Sequence, residues 1–187
     1  MRITYNAPFV LTFTFLAICV KVIDDATFGN TTAAYFTLRP LFDPTDWLAY
    51  FRLFSHVLGH DNWNHLTNNF TFILLIGPIL EEKYGTQNLF FFSVATAAIT
   101  GVLNIFFMPS FLLGASGVAF MMILLGSFAN VRAGTIPLTF VLILILFIGQ
   151  EIWNFVNATN NISEFSHIIG GVLGSIFGFL QIGRTRE

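Results

Sequence analysis

Ser116 stands in the tetrad Gly114-Ala115-Ser116-Gly117 at the head of one apolar stretch, and His167 stands at the head of another. A hydroxyl and an imidazole are the nucleophile and base of acyl transfer, which also needs donors aimed at the developing oxyanion. His65 and Asn69 supply such donors, and their spacing of four puts both on one face of a helix. Ser116 would attack, and His167 would take its proton and later return it to the leaving amine. The Ser116 backbone N-H, with the His65 and Asn69 side chains, would hold the oxyanion. Glu164 lies one turn before His167 but is expected in water, so the reading is a dyad. This chemistry requires no cofactor and no metal.

The glycines around these residues carry a packing signal of their own. Gly114 and Gly117 flank the serine, where glycine permits a sharp bend and a close approach. His167 is followed by Gly170, Gly174 and Gly178 at helical spacing. Small residues every four positions bring two membrane helices together, and the natural partner is the serine helix.

Composition decides what kind of element positions this set. The 187 residues are 55% hydrophobic, 17% aromatic and only 10% charged, with a mean hydropathy of +0.76. So little charge cannot solvate a globular surface of this size, which places the chain in a membrane. A net charge of −2 leaves no basic patch for a phosphate backbone and excludes nucleic acid as a partner. The single Cys19 excludes an internal disulfide framework.

Held against the roughly 20 residues that cross a bilayer, the charge-poor windows predict an all-α, polytopic membrane protein. The expected spans cover about 7–23, 63–80, 89–107, 115–129, 136–155 and 165–182, in a single domain over 1–187. Pro109-Ser110 breaks the chain before the fourth span, and Asn130, Arg132 and Gly134 close it. Residues 24–62 hold Asp24, Asp25, Arg39, Pro40, Asp43, Pro44 and Asp46, too polar for a span, yet also Trp47, Tyr50, Phe51 and Phe54. Aromatic residues of this kind settle at lipid headgroups, so the segment reads as a long interfacial loop with short helices.

An N-terminus in the cytoplasm would place Arg2, Lys83, Arg132, Arg184 and Arg186 inside and Lys21, Arg39 and Arg52 outside. Six spans then return the C-terminus to the cytoplasm. Leu16-Ala17-Ile18-Cys19 faintly resembles a lipoprotein box, but Ile18 is too large before the cysteine, so an uncleaved anchor is expected.

Plainer readings compete with some of these assignments. A lone serine in a membrane helix is usually packing or hydrogen-bond glue. The soluble hydrolase elbow is not met, because Val118 occupies its final position. His56, His60 and His65 invite a shared zinc ion, but no His-Glu-x-x-His and no nearby cysteine accompany them. His56 and His60 are therefore expected to brace the loop. Gln150, Glu151 and Trp153 read either as interfacial anchors or as the lining of a lateral gate between spans two and five.

In order, spacing and context, His65-x-x-x-Asn69, Gly114-x-Ser116-Gly117 and His167-x-x-Gly170-x-x-x-Gly174 resemble the rhomboid intramembrane serine proteases, from about Phe51 to Gly178. The resemblance implies a six-helix core with the serine below the outer surface in a water-filled cavity. It also implies His167 as general base, and Glu81 as the acidic residue at the cytoplasmic end of span two. Substrates would be membrane proteins, cut in or near a single membrane helix. Phe51-Arg52 and Phe120 depart from the Trp-Arg and tyrosine that family members often carry. Phe120 can stack on His167 but offers no hydroxyl.

Two other functions compete. A catalytically silent rhomboid-like protein would bind membrane helices as a chaperone or adaptor, but it should lack the nucleophile or base. A solute transporter would show an internal repeat with paired broken helices, which the sequence lacks.

Overall fold

The computed structural model describes residues 3–108, 110–128, 135–136, 138–149, 153 and 162–182, apart from the side chains of 147, 148, 162, 163 and 182. Arg2, Pro109, Asn130, Arg132, Gly134, Gln150, Glu151, residues 157–161, Arg184 and Arg186 lie outside the described residues. So do the ends assigned above to the fourth and fifth spans.

Helices dominate. In chain order they are α1 (Pro8–Ala26), α2 (Asn30–Tyr35), α3 (Trp47–Ser55) running into a 3-10 turn at His56–Leu58, α4 (Trp63–Tyr84) and α5 (Thr86–Phe107). Then come α6 (Ser116–Ser127), α7 (Leu138–Ile143) continued by a π turn at Leu144–Ile148, and α8 (Ile162–Ile182). Among the described residues the only β pairing is one antiparallel bridge, Leu38 with Leu112.

Among the described residues, α5 is the one helix both long and apolar enough to cross a membrane by length and composition. The other helices are shorter or carry charge, as α1 does with Lys21, Asp24 and Asp25. Apolar side chains nevertheless cover both faces of the bundle. On α4, Leu66, Phe70, Ile73 and Leu80 are buried while Leu75 and Ile79 are exposed; on α8, Leu173 and Phe177 are buried while Ile176 and Leu180 are exposed. A helix that is apolar all round needs lipid or protein on every side.

Two structural devices orient the helices. The first is the close seam between α6 and α8, where a methyl group built on Gly170 would overlap the Gly117 carbonyl, and one on Gly174 the Met121 carbonyl. Backbone therefore meets backbone, which only glycine allows at this separation. The second is Glu81, buried near the end of α4. Its Oε1 accepts from the Phe9 N-H at 2.8 Å and its Oε2 from the Val10 N-H at 3.0 Å. Ala7 offers α1 no side-chain cap, so Glu81 satisfies the orphan donors of that helix's first turn. The Thr86 hydroxyl also donates to Oε1, fastening the start of α5 to the same carboxylate.

At the opposite end, Lys21 is only 5% exposed and pairs with Asp24 at 3.1 Å and Asp25 at 2.8 Å. Asp25 accepts from the Trp63 indole and Asp24 from the Thr32 N-H, so one ionic cluster holds the end of α1 against the starts of α2 and α4. Arg52 is buried as well, donating to the Ala34 carbonyl and pairing with Asp46 at 3.2 Å.

Candidate active site

The site forms where the starts of α4 and α6 meet the first turns of α8. Asn62 caps α4, its side chain accepting from the His65 N-H, and this sets the register that turns His65 and Asn69 inward. Asn69 is buried and His65 half-buried. Gly114 approaches both: a Cβ built there would lie 2.7 Å from His65 Nε2 and 3.5 Å from Asn69 Nδ2. Its φ of 111° lies in the region that favours glycine, so conformation and space exclude a side chain independently.

Three contacts hold the tetrad loop from the 24–62 segment. Leu38 and Leu112 exchange backbone hydrogen bonds at 2.9 and 3.0 Å. The Gly114 N-H donates to the His56 carbonyl at 2.9 Å, and the Ala115 N-H donates to His60 Nε2 at 3.4 Å. With the chain so placed, Ser116 becomes the first residue of α6.

Sequence reasoning gave His60 only a bracing role and missed its partner. His60 is fully buried, and its Nε2 lies 3.0 Å from the Asn69 amide nitrogen. Amide nitrogens only donate, so Nε2 accepts from both Asn69 and Ala115, and the ring proton belongs on Nδ1, which faces the Leu58 carbonyl at 3.3 Å. Burial, with the nearby His65 charge, pulls the His60 pKa from 6.5 to about 4, and burial does the same to His56. Both rings are neutral at pH 7. The only signal in the sequence was the spacing of three histidines, which suggested metal; among the described residues no cluster of three metal-ligating side chains exists.

His167, on α8, is set by the seam with α6. Its imidazole stacks flat on the Phe120 ring, with centroids 4.3 Å apart and planes 7° apart. Ser116 and Phe120 are four residues apart on α6, so the imidazole lies along the helix face that carries the serine. The next contact along the seam confirms how close the helices run, since a Cβ on Gly117 would lie 3.3 Å from the Ser166 carbonyl oxygen. His65 is within electrostatic reach of His167. His60, His65 and Asn69 thus gather against the Gly114-Ala115 backbone that leads into Ser116, and His167 stacks one turn further along α6.

This cluster begins below the ends of its neighbours. Asn69 is six residues into α4 and His167 five into α8, so at 1.5 Å per residue those helices rise roughly 7–9 Å beyond the level of the site.

The Rhomboid domain family matches residues 48–184. The chain belongs to the rhomboid family. Membership makes it an integral membrane protein, which accounts for the apolar outer faces of α4 and α8. Rhomboid protease GlpG of Serratia proteamaculans (strain 568) is 26% identical over 174 residues, covering 90% of this chain and 62% of that protein. This rhomboid chain therefore spans less than two thirds of that relative's length. The matched region contains α4 to α8 and every residue of the cluster, while α1, with its Glu81-capped first turn, lies ahead of it.

Proposed function

We propose that the chain is an intramembrane serine endopeptidase that hydrolyses peptide bonds in or near the membrane segments of single-span proteins. Ser116 Oγ attacks the scissile carbonyl carbon while its proton passes to His167. Collapse of the tetrahedral intermediate expels the amine, protonated by His167, and leaves an acyl ester on Ser116. Water, deprotonated by the same imidazole, then releases the acid. The Ser116 N-H, His65 and Asn69 stabilise the oxyanion. The Ala115 N-H already donates to His60, so it is not counted among these donors.

The observation that carries this reading is the flat stack of His167 on Phe120, one turn along α6 from Ser116, with His65 and Asn69 against Gly114. The Serratia relative, a rhomboid protease by name, points the same way. In the proposed topology α1, α4, α5, α6, the α7 region and α8 make six crossings, both termini are cytoplasmic, and the recessed site opens to the outer side. The 24–62 segment lies at the interface.

The test is cleavage of a single-span substrate by purified protein in vesicles without metal. Wild type cleaves, while Ser116→Ala and His167→Ala do not. A folded wild type that cleaves no helical membrane substrate would favour the chaperone or adaptor reading.

A further inference from the structure

Lys21 is buried near the end of α1, although taking an ammonium group out of water is costly unless it is paired. Its pairs with Asp24 and Asp25 lie within one turn of the same helix, and an exposed lysine could make them equally well. What lies across from it explains the burial. The ammonium also donates to the Asp61 carbonyl at 3.4 Å, and Asp25, held by the same ammonium, accepts from the Trp63 indole at 2.8 Å. These two contacts grip the chain on either side of Asn62, whose side chain caps α4 through the His65 N-H. His60 directly precedes the gripped residue, and its Nε2 receives the Asn69 amide and the Ala115 N-H.

We infer that Lys21 is a positioning residue of the oxyanion site, holding from α1 the turn 60–63 that sets His60 against Asn69 and starts α4 in register. Its effect on rate rests on the Ser116/His167 reading, whereas its hold on His60 does not. Lys21 itself touches neither substrate nor reacting atoms in this account and acts through His60 and Asn62.

The charge of Lys21 has a consequence that a purely mechanical brace would lack. Nε2 accepts from Asn69 only while His60 is neutral, because a protonated imidazole is a donor at both nitrogens. Besides burial, His65 and Lys21 both disfavour a proton on His60. Asp24 and Asp25 pair with the ammonium, and the Asp61 carboxylate faces His65 at 3.9 Å. A cation at the end of α1 thus protects the acceptor on which Asn69 depends.

The experiment uses the full chain in detergent with ring-labelled histidine, following His60 by NMR from about pH 8 down to about pH 4.5, alongside cleavage of a single-span substrate. Lys21→Gln keeps a donor for the Asp61 carbonyl and removes the charge. The His60 midpoint should rise from about 4 by roughly half a unit to one unit. At neutral pH kcat should fall by no more than the roughly tenfold expected of His60→Ala, with KM nearly unchanged. Combined with His60→Ala, the substitution should add nothing. Lys21→Arg, which keeps charge and donors, should restore both readouts, and Lys83→Gln, in the last turn of α4, should disturb neither. If Lys21→Gln does not fold because it leaves carboxylates without their cation, Lys21→Gln/Asp24→Asn/Asp25→Asn removes all three charges and should show the same rise. An unchanged His60 midpoint in these variants would overturn the inference whether or not the chain cleaves anything. So would a loss of rate that adds to that of His60→Ala. A raised midpoint in a folded chain whose wild type cleaves nothing would uphold the hold on His60 and count against the protease reading alone.

Discussion

The Asn69 amide donates to His60 Nε2 across 3.0 Å, which fixes the side chain proposed to hold the oxyanion. His60 itself sits behind Asn69, so its effect on the reaction is one of positioning. Asn69→Ala should lower kcat on the order of 100-fold, the loss seen when one oxyanion donor is removed. His60→Ala should lower it about tenfold, one step of about 1.4 kcal/mol in the barrier, with KM nearly unchanged. The double variant should be no slower than Asn69→Ala alone, because the histidine acts through the asparagine. Additive losses would show that His60 contributes by another route.

The same histidine predicts an acid limb. His56 and His60 have folded pKa values near 4, below the ordinary 6.5. Between pH 6.5 and 4 the unfolded chain binds protons that the folded chain refuses. Stability therefore falls as pH falls through this window and is level above 6.5, at roughly 3 kcal/mol per histidine from 1.4 kcal/mol per unit. Thermal unfolding in detergent at pH 5 and pH 7 measures it. His60→Asn should flatten part of the slope.

Much of the site was legible in the sequence for a physical reason. Helical periodicity is local, so the shared face of His65 and Asn69, the glycine stripe after His167 and the position of Ser116 at a helix start all follow from spacing. Contacts made by chain closure were not legible. Glu81 carried an expected location from the family resemblance, yet its partners Phe9 and Val10 lie about seventy residues away. Lys21 enters the sequence reading only as a charge on the outer side, and its burial in a cluster with Asp24 and Asp25 is a contact that counting charges does not reveal. His60 and Asn69 are nine apart across a loop and a helix cap, a relation that no periodicity encodes.

Glu81 gives a prediction about stability. Glu81→Ala leaves the Phe9 and Val10 N-H groups without their acceptor, and charge-assisted hydrogen bonds of this kind contribute about 1.5–3 kcal/mol each. The melting temperature should drop markedly, whereas Glu82→Ala, at an exposed neighbour, should leave it unchanged. Equal melting of the two variants would contradict the capping role.

The seam between α6 and α8 gives another. Gly170→Ala directs a methyl group into the Gly117 carbonyl, a backbone atom that cannot turn aside. The helices must separate, at a cost of about 1–3 kcal/mol or more, and His167 moves with α8. Activity should fall further than stability. Ser175→Ala, on the same helix but bonded only to its own Gly171 carbonyl, should do neither.

Phe120 replaces a tyrosine common in the family yet keeps its ring on His167. Phe120→Tyr should therefore preserve activity. Phe120→Ala should reduce kcat about tenfold, in line with the roughly 0.5–1.5 kcal/mol of an aromatic stack. A silent Phe120→Ala variant would show that the histidine is oriented by other contacts.

The central claim is that His167 activates Ser116. It is tested most directly by labelling the purified chain in detergent with a serine-reactive phosphonate and mapping the adduct by mass spectrometry. The account predicts an adduct on Ser116 that disappears in Ser116→Ala and is largely lost in His167→Ala while both variants keep the wild-type melting profile. Labelling of Ser116 that persists undiminished in His167→Ala, or its absence from folded wild type, would contradict it.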